Sequence, residues 1–220
     1  GIWGYKPRKE CEAIQFRAMR TYLGVNRYTP KPAIIGDMGW FPAQIRQYKN
    51  ILQLWNRIVK LDEARLPLKI LHVDMLSPQS WSHDIQQSLA GTEYYSHFTQ
   101  LLPVDITNVL KLKQETYCNE WLSSCNKMPK LRTYTIFKPE LYTENYVKSI
   151  MNRSKRSIYS QFRCGVLPLK LETGRYTQIP LQYRICELCP TDQIENEMHF
   201  LLHCPVYNAE RETVFLCRKP

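Results

Sequence analysis

The sequence lacks any run of about eighteen apolar residues, the length a helix needs to cross a bilayer, so no membrane span is expected. Internal repeats and low-complexity tracts are absent too, which excludes a solenoid array. Nothing at the N-terminus reads as a signal peptide, and the chain opens Gly1-Ile2-Trp3 without an initiator Met. It therefore reads as a fragment of something longer. No paired-aspartate polymerase motif occurs, whereas polymerases and metal nucleases need carboxylates converging on ions about 4 Å apart. The one acidic cluster near a possible metal site, Asp192, Glu195 and Glu197, reads as helix N-terminal charge and solvation. Asp37, between Gly36 and Gly39, reads as a turn former. Cys164 with His203 is a loose candidate for thiol chemistry, but Cys164 lies beside Phe162 and Val166, where burial is the simpler account. No catalytic residue is assigned, and the chain is not expected to be an enzyme.

Acidic residues are scarce as well: 20 Asp and Glu face 30 Lys and Arg, a formal net charge of +10 over 220 residues. Such an excess draws a protein toward polyanions through counterion release, or serves only as a solvated surface. Its distribution favours the first. Between Lys127 and Arg184 the cations Lys130, Arg132, Lys138, Lys148, Arg153, Lys155, Arg156, Arg163, Lys170 and Arg175 meet only Glu140, Glu144 and Glu172. The first half instead mixes its signs around Asp62, Glu63 and Arg65, as a solvated helix does. Hydrophobic residues at 44% and charged residues at 23% are ordinary for a globular chain, so it should fold.

Of the eight cysteines, Cys11, Cys118, Cys125, Cys164 and Cys217 are scattered, and only Cys186, Cys189 and Cys204 cluster with histidine. That favours metal over a disulfide framework and a reducing compartment, nucleus or cytoplasm. Cys186-Glu-Leu-Cys189 places two thiolates on a tight turn, His199 follows on a short helix expected over 195–202, and Cys204 comes just after it. Four N/S ligands suit one tetrahedral, structural zinc ion with no open position. Residues five apart do not share an α-helical face, so Cys204 should lie where the helix has ended or tightened, as Pro205 would encourage. His203, one turn from His199, is the alternative fourth ligand.

Periodicity predicts a mainly α protein with minor β. Helices are expected from Glu10 to Leu23, with Cys11, Ile14, Ala18 and Tyr22 on one face, and from Pro42 to Leu61, with Ile45, Tyr48, Leu52, Trp55 and Val59 as core. Others are expected from Glu63 to Met75, delayed by Pro67, from Ser80 to Ala90, and from Asp105, as cap, to Cys125. The prolines and glycines between Tyr28 and Gly39 read as a loop, and 131–137 as a short strand or extended linker. A basic helix is expected from Glu144 to Phe162, with Tyr146, Ile150 and Ile158 on its apolar side. The organisation expected is a helical domain over 1–128, a basic connector over 129–185 and a zinc-knuckle module over 186–217.

The stretches Phe162-Arg-Cys-Gly165, Leu171-Glu-Thr-Gly-Arg-Tyr176, Arg184-Ile-Cys-Glu-Leu-Cys189 and 195–207 resemble the C-terminal region of non-LTR (LINE-type) retrotransposon reverse-transcriptase proteins. Earlier segments are similar too: 17–25, Gly36-Asp-Met-Gly-Trp40, Leu54-Trp-Asn-Arg57 and Lys130-Leu-Arg-Thr-Tyr134. The resemblance implies a nucleic-acid-binding tail whose Cys-Cys-His-Cys knuckle assists target-primed reverse transcription. It also implies an endonuclease and a reverse transcriptase upstream, neither of which is in this chain. On this reading Lys148, Arg153, Lys155, Arg156, Arg163, Arg175 and Arg184 contact the phosphates of RNA or DNA, and Tyr159, Tyr176 or Tyr183 stacks on unpaired bases. The alternative is a zinc-stapled scaffold that binds proteins.

Overall fold

The computed structural model describes residues 9–149 and 151–216; Ile150 and Cys217 lie outside them. The chain is mainly helical, as expected, and among the described residues the only β pairing is one antiparallel bridge between Ile185 and Ile194. Its helices are α1 (Lys9–Leu23), α2 (Lys31–Met38), α3 (Ala43–Ile58), α4 (Leu66–Asp74), α5 (Trp81–Leu89), α6 (Tyr95–Thr99), α7 (Ile106–Asn126), α8 (Tyr134–Phe137), α9 (Asn145–Lys148), α10 (Arg153–Arg163), α11 (Lys170–Tyr176) and α12 (Asn208–Leu216). None of the described helices is long and apolar enough to cross a membrane.

Two compact units divide the chain, along boundaries other than the consecutive ones expected. Unit 1 joins residues up to Ala18 with Trp40–Trp121, and unit 2 joins Met19–Gly39 with everything from Leu122 on. Unit 1 packs around Trp55, which is fully buried, stacks on Phe98 with ring centroids 5.0 Å apart, and donates its indole N–H to the Leu102 carbonyl. The neighbouring Asn56 side chain exchanges two 2.8 Å bonds with the backbone of Val104, fixing the segment after α6 against α3. Helix α5 begins where Ser80 Oγ accepts the His83 N–H, and α7 where Asp105 accepts from Thr107 and Asn108, both ordinary N-caps. Pro67 does delay α4, which starts at Leu66. One face departs from expectation: Cys11 and Ile14 of α1 are exposed, and Met19 and Leu23 are buried instead.

Unit 2 is organised around a buried carboxylate, Asp37, on a helix where a loop was expected. The same prolines and glycines that suggest breaks serve α2 as its ends: Pro30 is the N-cap, Pro32 sits in the first turn, and Gly39 closes the helix at φ 60. A side chain at Gly39 would meet the Thr143 amide nitrogen at 2.1 Å, so the incoming chain passes directly over that position. There the Glu144 N–H donates to the Asp37 carbonyl and Thr143 Oγ1 to the Met38 carbonyl. The expected strand over 131–137 is instead a 3-10 turn followed by α8, which points Tyr134 inward. The expected basic helix is broken, since Ser149 is extended and Asn152 caps a fresh start by accepting from the Ser154 N–H.

Asp37 is fully buried and accepts two bonds of 2.9 Å from Arg163, one of 3.1 Å from the Tyr134 hydroxyl and one of 2.6 Å from the Tyr146 hydroxyl. Glu144 extends the network to Arg163 at 3.1 Å and to the fully buried Lys138 at 2.7 Å. The reading of Asp37 as a turn former is thus corrected: it is an interior anion tying α2, α8 and α10 together. Burial, reinforced by Asp37, pushes both phenols well above their ordinary range. Burial lowers the Lys138 pKa despite Glu144, whereas for Arg163 the bonds to Asp37 outweigh burial and the pKa rises.

Breaking a buried, hydrogen-bonded ion pair strands a charge and costs about 3–5 kcal/mol. Asp37→Asn should therefore lower stability in urea denaturation by roughly that amount, and Asp37→Asn/Arg163→Met should recover part of it. A single variant within about 0.5 kcal/mol of the parent, the range of an ordinary surface change, would show that the network does not hold the unit.

Candidate metal centre and cationic surface

Beyond α11 the backbone doubles back on itself. The Cys186 N–H donates to the Gln193 carbonyl at 2.9 Å and the Glu195 N–H to the Arg184 carbonyl at 3.0 Å, closing a loop that carries the first two thiols. Asp192 takes a left-handed φ of 52 at its turn, a conformation Asp tolerates better than most residues. Asn196 Oδ1 then accepts the His199 N–H, starting the helical turns that carry the remaining ligands.

Cys204 lies just past the end of its helix, as expected, but the turn leading to it has the other pitch. The helix does not tighten but widens, because His199–His203 forms a π-turn closed by the Cys204 N–H on the His199 carbonyl at 2.7 Å. Widening brings residues five apart back to the same side, after which Cys204 is extended and Pro205 follows. Arg211 of α12 holds this end by donating to the Cys204 carbonyl.

The side-chain donors of Cys186, Cys189, His199 and Cys204 consequently lie within 4.8 Å of one another. Cys186, His199 and Cys204 are buried and Cys189 is half-buried. Cys189 Sγ is 3.4 Å from His199 Nε2, close to the roughly 3.5 Å edge of a tetrahedron with M–S of about 2.3 Å and M–N of about 2.0 Å. His199 Nδ1 meets Gln193 Oε1 at 3.0 Å, which places the proton on Nδ1 and leaves the Nε2 lone pair for a metal. The Thr191 hydroxyl, 3.0 Å from Cys189 Sγ, holds that thiol below its ordinary pKa, while burial pushes the Cys186 thiol up. This donor set can hold one metal ion. His203 is exposed and outside the cluster, and it does not meet Cys164, which is fully buried.

Of the loop's acidic residues Asp192 is exposed as expected, whereas Glu195 and Glu197 are drawn into the structure. Glu195 accepts the Lys170 N–H at 2.6 Å and approaches Cys186 Sγ at 4.0 Å. Glu197 is buried and receives two bonds from Arg132, at 2.7 and 3.0 Å. These contacts tie the ligand loop to α11 and to the 3-10 turn before α8. Gln193, Thr191 and Arg132 belong to the site's support, and sequence spacing carries no signal for them.

The basic stretch separates into committed and free cations. Arg163 is interior, Lys130 and Arg175 pair with Glu172, Lys138 with Glu144, and Lys170 with Glu187. Arg184 donates to the Ile179 and Leu171 carbonyls. Of the residues expected to contact phosphates, Arg163, Arg175 and Arg184 are therefore engaged within the fold. Arg156 is partly engaged, stacking 4.1 Å over the Tyr22 ring and donating to the Tyr22 carbonyl. Lys148, Arg153 and Lys155 are exposed and have no ion-pair partner among the described residues. Tyr159, Tyr176 and Tyr183 are all exposed, but only Tyr159 shares a helix with such cations.

No protein-family model, no curated protein and no solved structure matches this chain.

The geometry distinguishes the two candidate fourth ligands. Cys204→Ala should abolish stoichiometric metal in purified, tag-free protein measured by elemental analysis, and His203→Ala should leave it unchanged. Metal retained by the first variant and lost by the second would reverse the assignment.

Proposed function

We propose that the chain binds nucleic acid through the cationic surface of α9 and α10, beside a centre in which Cys186, Cys189, His199 and Cys204 hold one structural zinc ion. The observation that carries the first part is the selective freedom of Lys148, Arg153 and Lys155 in a stretch whose other cations are mostly committed to ion pairs or backbone carbonyls. Between Glu144 and Glu172 there is no acidic residue to neutralise them. Phosphates are the counterions such a surface recruits.

Three thiolates and an imidazole at tetrahedral spacing favour zinc over oxygen-seeking ions. With all four positions filled by protein, the metal's contribution is folding energy for the loop rather than activation of water. The resemblance to LINE-type C-terminal regions points the same way, toward a tail that acts beside an endonuclease and a reverse transcriptase of the same polyprotein. A binding role also fits the buried carboxylates: Asp37, Glu172 and Glu197 are each taken up by Arg or Lys. The scaffold reading draws on another feature, the outward stripe of Leu66, Ile70, Val73 and Leu76 along and just beyond α4.

Salt separates the two. Each neutralised phosphate contributes about 0.7–0.9 to the slope of log K against log salt. Lys148→Ala/Arg153→Ala/Lys155→Ala should weaken binding to RNA or DNA and reduce that slope by about 2. A parent chain that binds neither at low salt would leave only the scaffold, and an unchanged slope in the triple variant would move the contacts elsewhere.

A further inference from the structure

Helix α10 is built inside out. At helical pitch its apolar residues Ile158, Tyr159 and Phe162 fall on one side, with Lys155 among them, a stripe that ordinarily faces a core. Here the polar side is docked instead. Ser160 is fully buried, Arg163 reaches Asp37, and Ser157 Oγ and Gln161 Nε2 both donate to the Gly24 carbonyl, at 2.6 and 3.4 Å. Gly24, at φ 68, permits this approach, since a Cβ there would lie 2.8 Å from the Ser157 side chain.

The stripe is consequently outward: Ile158 is 61% exposed and Tyr159 46%, while Phe162 is half-buried. The Tyr159 ring rests against Tyr146 at 4.8 Å between centroids with planes 64° apart, so its orientation is fixed before any ligand arrives. Arg153 and Lys155 stand on the same helix, Lys148 ends the preceding one, and no acid intervenes.

An outward apolar stripe that carries Lys155 and lies on a helix without acidic residues is complementary to a polyanion that can turn apolar faces outward. Single-stranded nucleic acid does so, because its bases are free to leave the stack. A duplex keeps those faces inside and would leave the stripe wet. An anionic bilayer would need a broader apolar face than these three side chains, one of them half-buried. We infer that α10 is a platform for a single strand, with a base against Tyr159 and Ile158 and a flanking phosphate on Lys155. This inference rests on the nucleic-acid reading above and narrows it.

The test uses the full, zinc-loaded chain and three probes at low salt: a labelled oligouridylate of roughly 16 nucleotides, a duplex of equal length, and phosphatidylserine-containing vesicles. The parent should prefer the single strand. Tyr159→Ala should weaken single-strand binding by about five- to a hundredfold, with duplex binding changed less than about twofold, and Tyr159→Phe should restore it. Because Tyr159 also packs on Tyr146, Ile158→Ser serves as a second variant outside that packing and should lower single-strand affinity in the same direction. Equal loss on both nucleic acids, or no loss in Tyr159→Ala and Ile158→Ser, overturns the platform while a retained salt dependence keeps the cationic surface. Failure of the parent to bind either nucleic acid overturns both. Vesicle binding that Ile158→Ser abolishes while sparing the single strand assigns the stripe to lipid and overturns the inference.

Discussion

The Asp37–Arg163 pair is the constraint on which unit 2 depends. A carboxylate removed from water requires charged and hydroxyl donors on every side, and Arg163, Tyr134 and Tyr146 supply them. Satisfying Asp37 decides which way α10 faces. Arg163 must turn inward, Ser160 follows it, and the apolar side of the same helix is left outside. The surface chemistry of α10 is therefore a consequence of an interior charge, and the cations left free are those the network does not use.

The ligand cluster imposes a second, more local constraint. Its four donors come from a loop closed by one antiparallel bridge and from a π-turn, and neither has an apolar core large enough to hold it unaided. What surrounds the donors is polar and specific: Gln193 orients His199, Thr191 faces Cys189, and the buried Glu197 is clamped by Arg132. Through Glu195 and Glu197 the cluster is joined to α11 and the turn before α8 rather than hanging from the chain as an independent module.

Much of this was legible because it obeys short-range rules. The spacing of Cys186, Cys189, His199 and Cys204 names the cluster, and the stripe containing Leu52 and Trp55 and the cap Asp105 name α3 and α7. What escaped is decided by distant partners. Pro30, Pro32 and Gly39 read as breakers although they are the ends of α2, whose stability comes from burying Asp37 against residues about a hundred positions away. The alternation over 131–137 suggested a strand, yet Tyr134 turns inward to meet Asp37, which the local sequence does not encode. Counting charge along the chain likewise could not separate Arg163, Arg175 and Arg184, which are spent on the fold, from Lys148, Arg153 and Lys155, which are not. For α1 the period was right and the phase was wrong, since Ile14 and Met19 lie on different faces and only packing chooses between them.

The central claim, that α9 and α10 form the nucleic-acid-binding surface, is tested most directly by hydrogen exchange on the zinc-loaded chain with and without a saturating single strand. The account predicts protection concentrated across Asn145–Lys148 and Arg153–Arg163, with the exchange of Leu66–Asp74 unaltered. Protection confined to other segments, with α9 and α10 exchanging at their free rates, would contradict it.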